Sequence, residues 1–234
     1  MILPQKARRR DFFAEDVLWS DPYMDLSGDS VEFRLSYAGR LYASGNSNPR
    51  AGHKHDIRRV FHPQLRNLWR ATNNLKSLLD PLPEHAITIN AGPYENRLQK
   101  LPERFRCGEY GLVPLVTEDL ALICGLEILM LRPDPPGSLI KSGDIDGRLK
   151  TLFDALRMPG PDTNELGGNR PTEDEIPFYC LLQDDRLISQ VSVQTDLLLE
   201  PVTGGLIDRN DVRLIVTVRL RPSDTRYGSS GFAL

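Results

Sequence analysis

Ser142-Gly-Asp144-Ile-Asp146-Gly-Arg148-Leu-Lys150-Thr-Leu-Phe-Asp154-Ala-Leu-Arg-Met-Pro159 carries two patterns at once. Leu149, Leu152, Phe153 and Leu156 stand at i, i+3, i+4 and i+7, the apolar stripe of a helix that starts near Asp144 and packs on a sheet. Asp146, Lys150 and Asp154 are four apart and line up along the flank of that stripe. Phe178–Leu182 follows as a short apolar strand that ends in Gln183-Asp184-Asp185-Arg186. Carboxylates with no histidine or cysteine beside them are hard oxygen donors, suited to Mg²⁺ or Mn²⁺ rather than zinc. A structural account fits the helix alone: Ser142 or Asp144 as N-cap, and Asp146 with Lys150 as an i,i+4 ion pair. The Asp184-Asp185 pair favours the metal account, because four carboxylates gathered at one place repel unless a cation joins them.

Strands surround this helix. Val31–Tyr37 alternates apolar and polar residues, the period of a half-buried strand. Gly111–Thr117 and Leu120–Leu131 read as strands, the second apolar enough to be central in a sheet. Leu187–Leu199 and Asp211–Leu220 are two more, joined through a turn at Gly204-Gly205, and Ala86–Asn90 is a further short one. The order predicts an α/β (α+β) fold, a mixed β-sheet with helices packed on it. Ala43–Gly52 is a loop, and Pro133–Gly137 stops the central strand. Met158–Pro177, rich in Pro and Gly and carrying Glu173, Asp174 and Glu175, is a loop or insertion. The chain divides into an N-terminal extension (1–30), one domain (31–221) with the insertion at about 158–177, and a flexible tail (222–234).

The charge of −3 over 234 residues gives no global nucleic-acid signature, so a local patch has to be sought. Between Arg34 and Lys76 stand nine lysines and arginines against one acid, Asp56. Lys54, Arg58, Arg59, Arg66 and Arg70 fall in a helical stretch that Pro63 should divide into two helices, near 53–61 and from about 64. So few acids favours a phosphate-binding patch over an ordinary solvated face. A zinc site at His53 and His55 is the alternative, disfavoured by the lack of cysteine or clustered acids nearby. Cys107, Cys124 and Cys180 form no even set and no metal spacing, and read as small buried hydrophobes. The N-terminus has no signal-peptide core, and Leu120–Leu131 is too short for a membrane span. A soluble, cytoplasmic protein with no membrane partner is expected.

Asp144-x-Asp146-x-x-x-Lys150-x-x-x-Asp154-x-Leu156, followed by an apolar run ending in Asp184-Asp185, resembles the RusA family of Holliday junction resolvases. The resemblance is strongest over about 142–195 and extends weakly to the N-terminal strand and the basic helix. It implies a RusA-like fold and a Mg²⁺-dependent, structure-selective DNA endonuclease of DNA recombination and repair, which hydrolyses phosphodiester bonds in branched DNA as a homodimer. Asp144, Asp146 and Asp185 are then the metal ligands, Lys150 stands beside the scissile phosphate, and Asp184 and Asp154 support them. Gly147 occupies a position where the family usually has asparagine, and the segment between Leu156 and Phe178 is longer than the family's. Two other functions fit the same residues: a catalytically inactive nucleic-acid-binding protein on this fold, and a protein-interaction module whose contact loop is Met158–Pro177.

Overall fold

The computed structural model describes residues 31–44, 50–72, 101–134, 144–202 and 204–223, and of Asp144 the backbone alone. The N-terminal extension, Leu75, Lys76, Leu78 and Leu79, the strand expected at Ala86–Asn90, residues 135–143 and the tail from 224 lie outside them.

Two mixed sheets with helices packed on them make the α/β fold. The larger has the order β1-β7-β4-β6, with β1 at Val31–Arg40, β4 at Leu122–Arg132, β6 at Ile188–Leu197 and β7 at Asp211–Pro222. β7 runs antiparallel to both β1 and β4, whereas β4 and β6 are parallel. The chain between β4 and β6 therefore crosses over, and it carries the Asp144–Leu156 helix and the strand Phe178–Leu182 on the way. The smaller sheet has the order β2-β3-β5, with β2 at Arg106–Cys107, β3 at Tyr110–Val116 and β5 at Phe178–Leu182.

Local pattern explains most of these elements. Phe33, Leu35 and Tyr37 are buried while Arg34 and Ser36 are exposed, and β4 and β7 alternate in the same way. β4 lies between β7 and β6, the central place expected for it. All five residues of β5 are buried, matching its unbroken apolar run. The three cysteines are free and buried, and burial pushes the thiols of Cys124 and Cys180 up to about 12.

Pro63 does not divide its helix. α1 runs unbroken from Ala51 to Ala71, with the proline inside. An interior proline costs a helix roughly 3 kcal/mol. Buried Ile57 and Phe61 precede it, and buried Leu65 and Trp69 follow it on the same stripe. Burying each such side chain contributes about 1.5–3 kcal/mol, so packing on both sides of the proline offsets the break. α2 (Leu101–Arg104) is a single turn against β3, and α3 (Asp144–Leu156) is the helix expected from Asp144. α1 packs on β1, β5 and α3, and so stands at the junction of both sheets with the helix of the acidic motif.

Candidate metal centre and the helix beside it

α3 buries Leu152, Ala155 and Leu156, half-buries Leu149 and Phe153, and exposes Asp146 and Lys150. Its N-terminal turn is held by the strand-end loop after β1. Ser44 donates its backbone N–H to the Gly147 carbonyl at 2.8 Å. A Cβ at Gly147 would lie 2.8 Å from the Ala43 Cβ, so the bare glycine is what lets the two backbones approach. Arg148, buried, donates to the Arg209 carbonyl at 3.0 Å and ties the same turn to the loop before β7.

The far end of α3 is anchored on β5. Met158 N–H donates to the Leu182 carbonyl at 2.7 Å, and Arg157 bridges the same residue. The chain then leaves β5 into a 3₁₀ turn, Asp185–Leu187, which packs against α3. Asp184 caps that turn, its Oδ1 accepting from Arg186 N–H at 3.0 Å. Arg186 in turn pairs with Glu118 at 2.5 Å. Asp185 is exposed.

A division of labour follows. Among the described residues, Asp146, Lys150 and Asp185 are exposed and enter no ion pair or side-chain hydrogen bond. Asp154 and Asp184, the supporting members of the same two motifs, are spent on structure. Asp154 does not share an edge with Lys150: its Oδ2 lies 2.6 Å from Lys54 Nζ and its Oδ1 3.5 Å from Arg157 Nε. Among the described residues no group of three His, Cys, Asp or Glu side chains gathers at ligand spacing. Asp146 and Asp185 are the described members of the expected ligand set, and the Asp144 carboxylate lies outside the described atoms. Both are exposed, uncommitted carboxylates, the donor type that a hard divalent cation takes.

In the basic stretch, Arg58 requires correction. Arg58 is 2 % exposed and faces inward, where no backbone phosphate reaches it. Its guanidinium donates to the carbonyls of Asp154 (2.7 Å), Arg157 (3.1 Å) and Glu165 (3.2 Å). It thereby caps the open carbonyls at the C-terminus of α3. Arg59 grips Glu175 with two bonds, at 2.5 and 3.1 Å. Arg66 donates to the Asp174 carbonyl at 2.9 Å, and Lys54 is held by Asp154. Of the five cations expected to hold phosphate, Arg70 alone is exposed at the surface. The patch lacks acids in its own stretch because its acids come from Asp154–Glu175, docked across it.

That docked segment is ordered into two 3₁₀ turns, Thr163–Leu166 and Glu173–Glu175. The second has a capping box, with Thr172 and Glu175 exchanging side-chain and backbone bonds. The Thr-x-x-Glu spacing was there in the sequence as the signal for it. Burial alone would raise the Glu175 carboxyl, but the Arg59 fork and the Thr172 N–H hold it below the ordinary carboxylate range.

His55 and His62 of α1 are buried in the core. His55 stacks on Phe178 and shares a 3.1 Å hydrogen bond with the Tyr110 hydroxyl. Burial, then the charges of Arg58 and Arg59, lowers it to about 4, so it is neutral. Burial, then Glu175, raises Tyr110 to about 12. His62 stacks on Phe178 and accepts the Tyr179 N–H at 2.9 Å, leaving Nε2 for the Asp174 carbonyl at 3.0 Å. His53 packs its ring on Tyr42.

No family model, no curated protein and no solved structure matches the chain. No helix among the described residues is long and apolar enough to cross a membrane.

Proposed function

We propose that the chain is a RusA-like endonuclease, dependent on Mg²⁺ or Mn²⁺, that hydrolyses phosphodiester bonds in branched DNA. One observation carries the reading. The three described side chains that such chemistry needs, Asp146, Lys150 and Asp185, are exposed and uncommitted, while their motif neighbours Asp154 and Asp184 are tied into the fold. The packing of α3 on the Asp185–Leu187 turn supports it, because it joins the two motifs that lie about thirty residues apart in the chain.

Asp144, Asp146 and Asp185 would hold the ion, which when bound acidifies water and offsets charge on the phosphate. Lys150, an ammonium on the exposed flank of α3, stabilises the negative charge that builds on the phosphate or the leaving oxygen. Asp184 sets the direction of the turn that presents Asp185. Lys54, through Asp154, and Arg58, through the helix carbonyls, fix α3 against α1. Contacts to the DNA backbone fall to Lys150 and Arg70, with the other cations of α1 engaged by acids and carbonyls of the protein.

Cleavage of a four-way junction, a fork mimic and a linear duplex in Mg²⁺ tests this, with wild type beside Asp146→Asn. Wild type should cut a branched substrate, and Asp146→Asn should slow it by about 100-fold or more. No cutting of any substrate, or equal rates for the two proteins, ends the reading.

A further inference from the structure

The segment that joins α3 to β5 is held on α1 in two different ways. Its first 3₁₀ turn, Thr163–Leu166, buries Leu166 to 4 % exposure, and its Glu165 carbonyl takes a bond from the buried Arg58 guanidinium. The second turn, Glu173–Glu175, adds no apolar side chain to the core, and Ile176, which follows it, is 60 % exposed. Apolar burial fixes the first turn, whereas charge and hydrogen bonds fix the second.

Those charges lie along one stripe of α1. Arg59, His62 and Arg66 stand at i, i+3 and i+7, and exposed Arg70 continues the row one turn on. Arg59 holds Glu175 with two bonds, and His62 Nε2 meets the Asp174 carbonyl at 3.0 Å. Arg66 takes the same carbonyl and stands 3.5 Å from the Asp174 carboxylate. The side chains of Arg59 and Arg66 keep 32 % and 22 % exposure, so the acids cover them without sealing them in. From Arg59 to Arg70 the row is about 16 Å long at 1.5 Å per residue, room for several phosphates of one DNA strand.

We infer that Glu173–Glu175 is an internal strap that stands in for phosphate on α1, and that a DNA backbone displaces it to reach Arg59 and Arg66. Two carboxylates and a carbonyl occupy the donors that phosphate oxygens take. A contact made by charge is weakened by a competing polyanion and by salt, whereas the buried Leu166 turn has no such competitor. The strap thus holds DNA affinity below what the row of cations allows. The inference rests on the DNA-binding part of the nuclease reading. Cleavage by wild type against Asp146→Asn tests that reading separately, because the strap makes no ion pair or hydrogen bond with Asp146, Lys150 or Asp185.

Binding of a short linear duplex in EDTA, read across a salt series on the full chain, tests the strap. Glu175→Ala and Glu173→Ala remove the same charge from the same turn, but Arg59 grips Glu175, and among the described residues Glu173 enters no ion pair. Glu175→Ala should bind at least about tenfold tighter than wild type, and Glu173→Ala no more than about threefold tighter. Two added phosphate contacts, at about 0.9 each, should steepen the log–log salt slope of Glu175→Ala by about 2. Adding Arg59→Ala and Arg66→Ala should remove both the gain and the steeper slope. Hydrogen exchange on wild type reads the strap without any substitution. The Glu175 and Ile176 amides, bonded to the Thr172 and Glu173 carbonyls, should exchange faster with duplex bound, and those of Glu165 and Gly167 should not. Equal affinities of the two variants, or a gain that survives loss of both arginines, overturns the inference. Strap amides that DNA leaves unchanged or slows, or no DNA binding by any of these proteins, overturns it as well.

Discussion

Lys54 and Asp154 form an ion pair, Nζ to Oδ2 at 2.6 Å, that ties α1 to the last turn of the helix bearing the acidic motif. Both side chains are less than one-fifth exposed, so solvent screens the pair only in part. Asp154→Ala should cost about 1–3 kcal/mol, since Lys54 and Arg157 both lose this carboxylate. Lys54→Ala should cost less, because Asp154 keeps Arg157. A double-mutant cycle by urea unfolding should return a coupling of about 0.5 kcal/mol or more.

Arg58→Lys tests the capping role of the guanidinium. The three carbonyls it reaches lie on two segments, and a single ammonium does not reproduce the planar fork. A loss of roughly 3 kcal/mol is expected, seen as a lower urea midpoint at an unchanged m-value. If the protein binds DNA, the salt dependence of affinity should be the same for wild type and Arg58→Lys, and shallower for Arg70→Ala.

Acid should destabilise the fold before most carboxylates titrate. His55 is neutral in the folded protein, its pKa near 4 against about 6.5 unfolded. Its lowered folded value means that stability is intact above pH 6.5 and falls as pH drops from there towards 4, where the folded imidazole also charges. His53 and His62 are lowered too, and act in the same direction. His55→Phe keeps the stack on Phe178 and leaves the Tyr110 hydroxyl with Glu175, 3.5 Å away. The urea midpoint of that variant should vary less between pH 6.5 and 4.5 than that of wild type.

Gly147→Asn should be destabilising in this chain, by about 1–3 kcal/mol. Any Cβ there presses on Ala43 at 2.8 Å and on the Ser44 N–H that bonds the Gly147 carbonyl. Pairing it with Ala43→Gly should recover part of the loss, which thermal unfolding of the three proteins will show.

What could be read from sequence, and what could not, divides by range. The strands and α3 announce themselves within a dozen residues, by alternation or by the Leu149–Leu156 spacing, and within the described residues, which leave out Ala86–Asn90, they formed where expected. Pro63 misled because its cost is local, while the packing of Phe61, Leu65 and Trp69 that outweighs it is tertiary. The partners of the basic stretch were out of reach for the same reason. Arg59 and Glu175 are 116 residues apart, and no spacing rule joins them. At the candidate site, the resemblance already set Asp154 and Asp184 apart as supporting residues, but what they hold was not legible: the partners of Asp154, Lys54 and Arg157, are fixed by packing.

Arg58 also bears on how the molecule opens. One guanidinium bonds the C-terminal carbonyls of α3 and the first turn of the 158–177 segment at once. Those pieces and α1 are therefore one cooperative unit, and none can fray without breaking the same three bonds. In hydrogen exchange, the amides of the last turn of α3 and of Thr163–Leu166 should open with a common free energy. A segment that looks like a dispensable surface excursion would then report the unfolding of the helix beneath it.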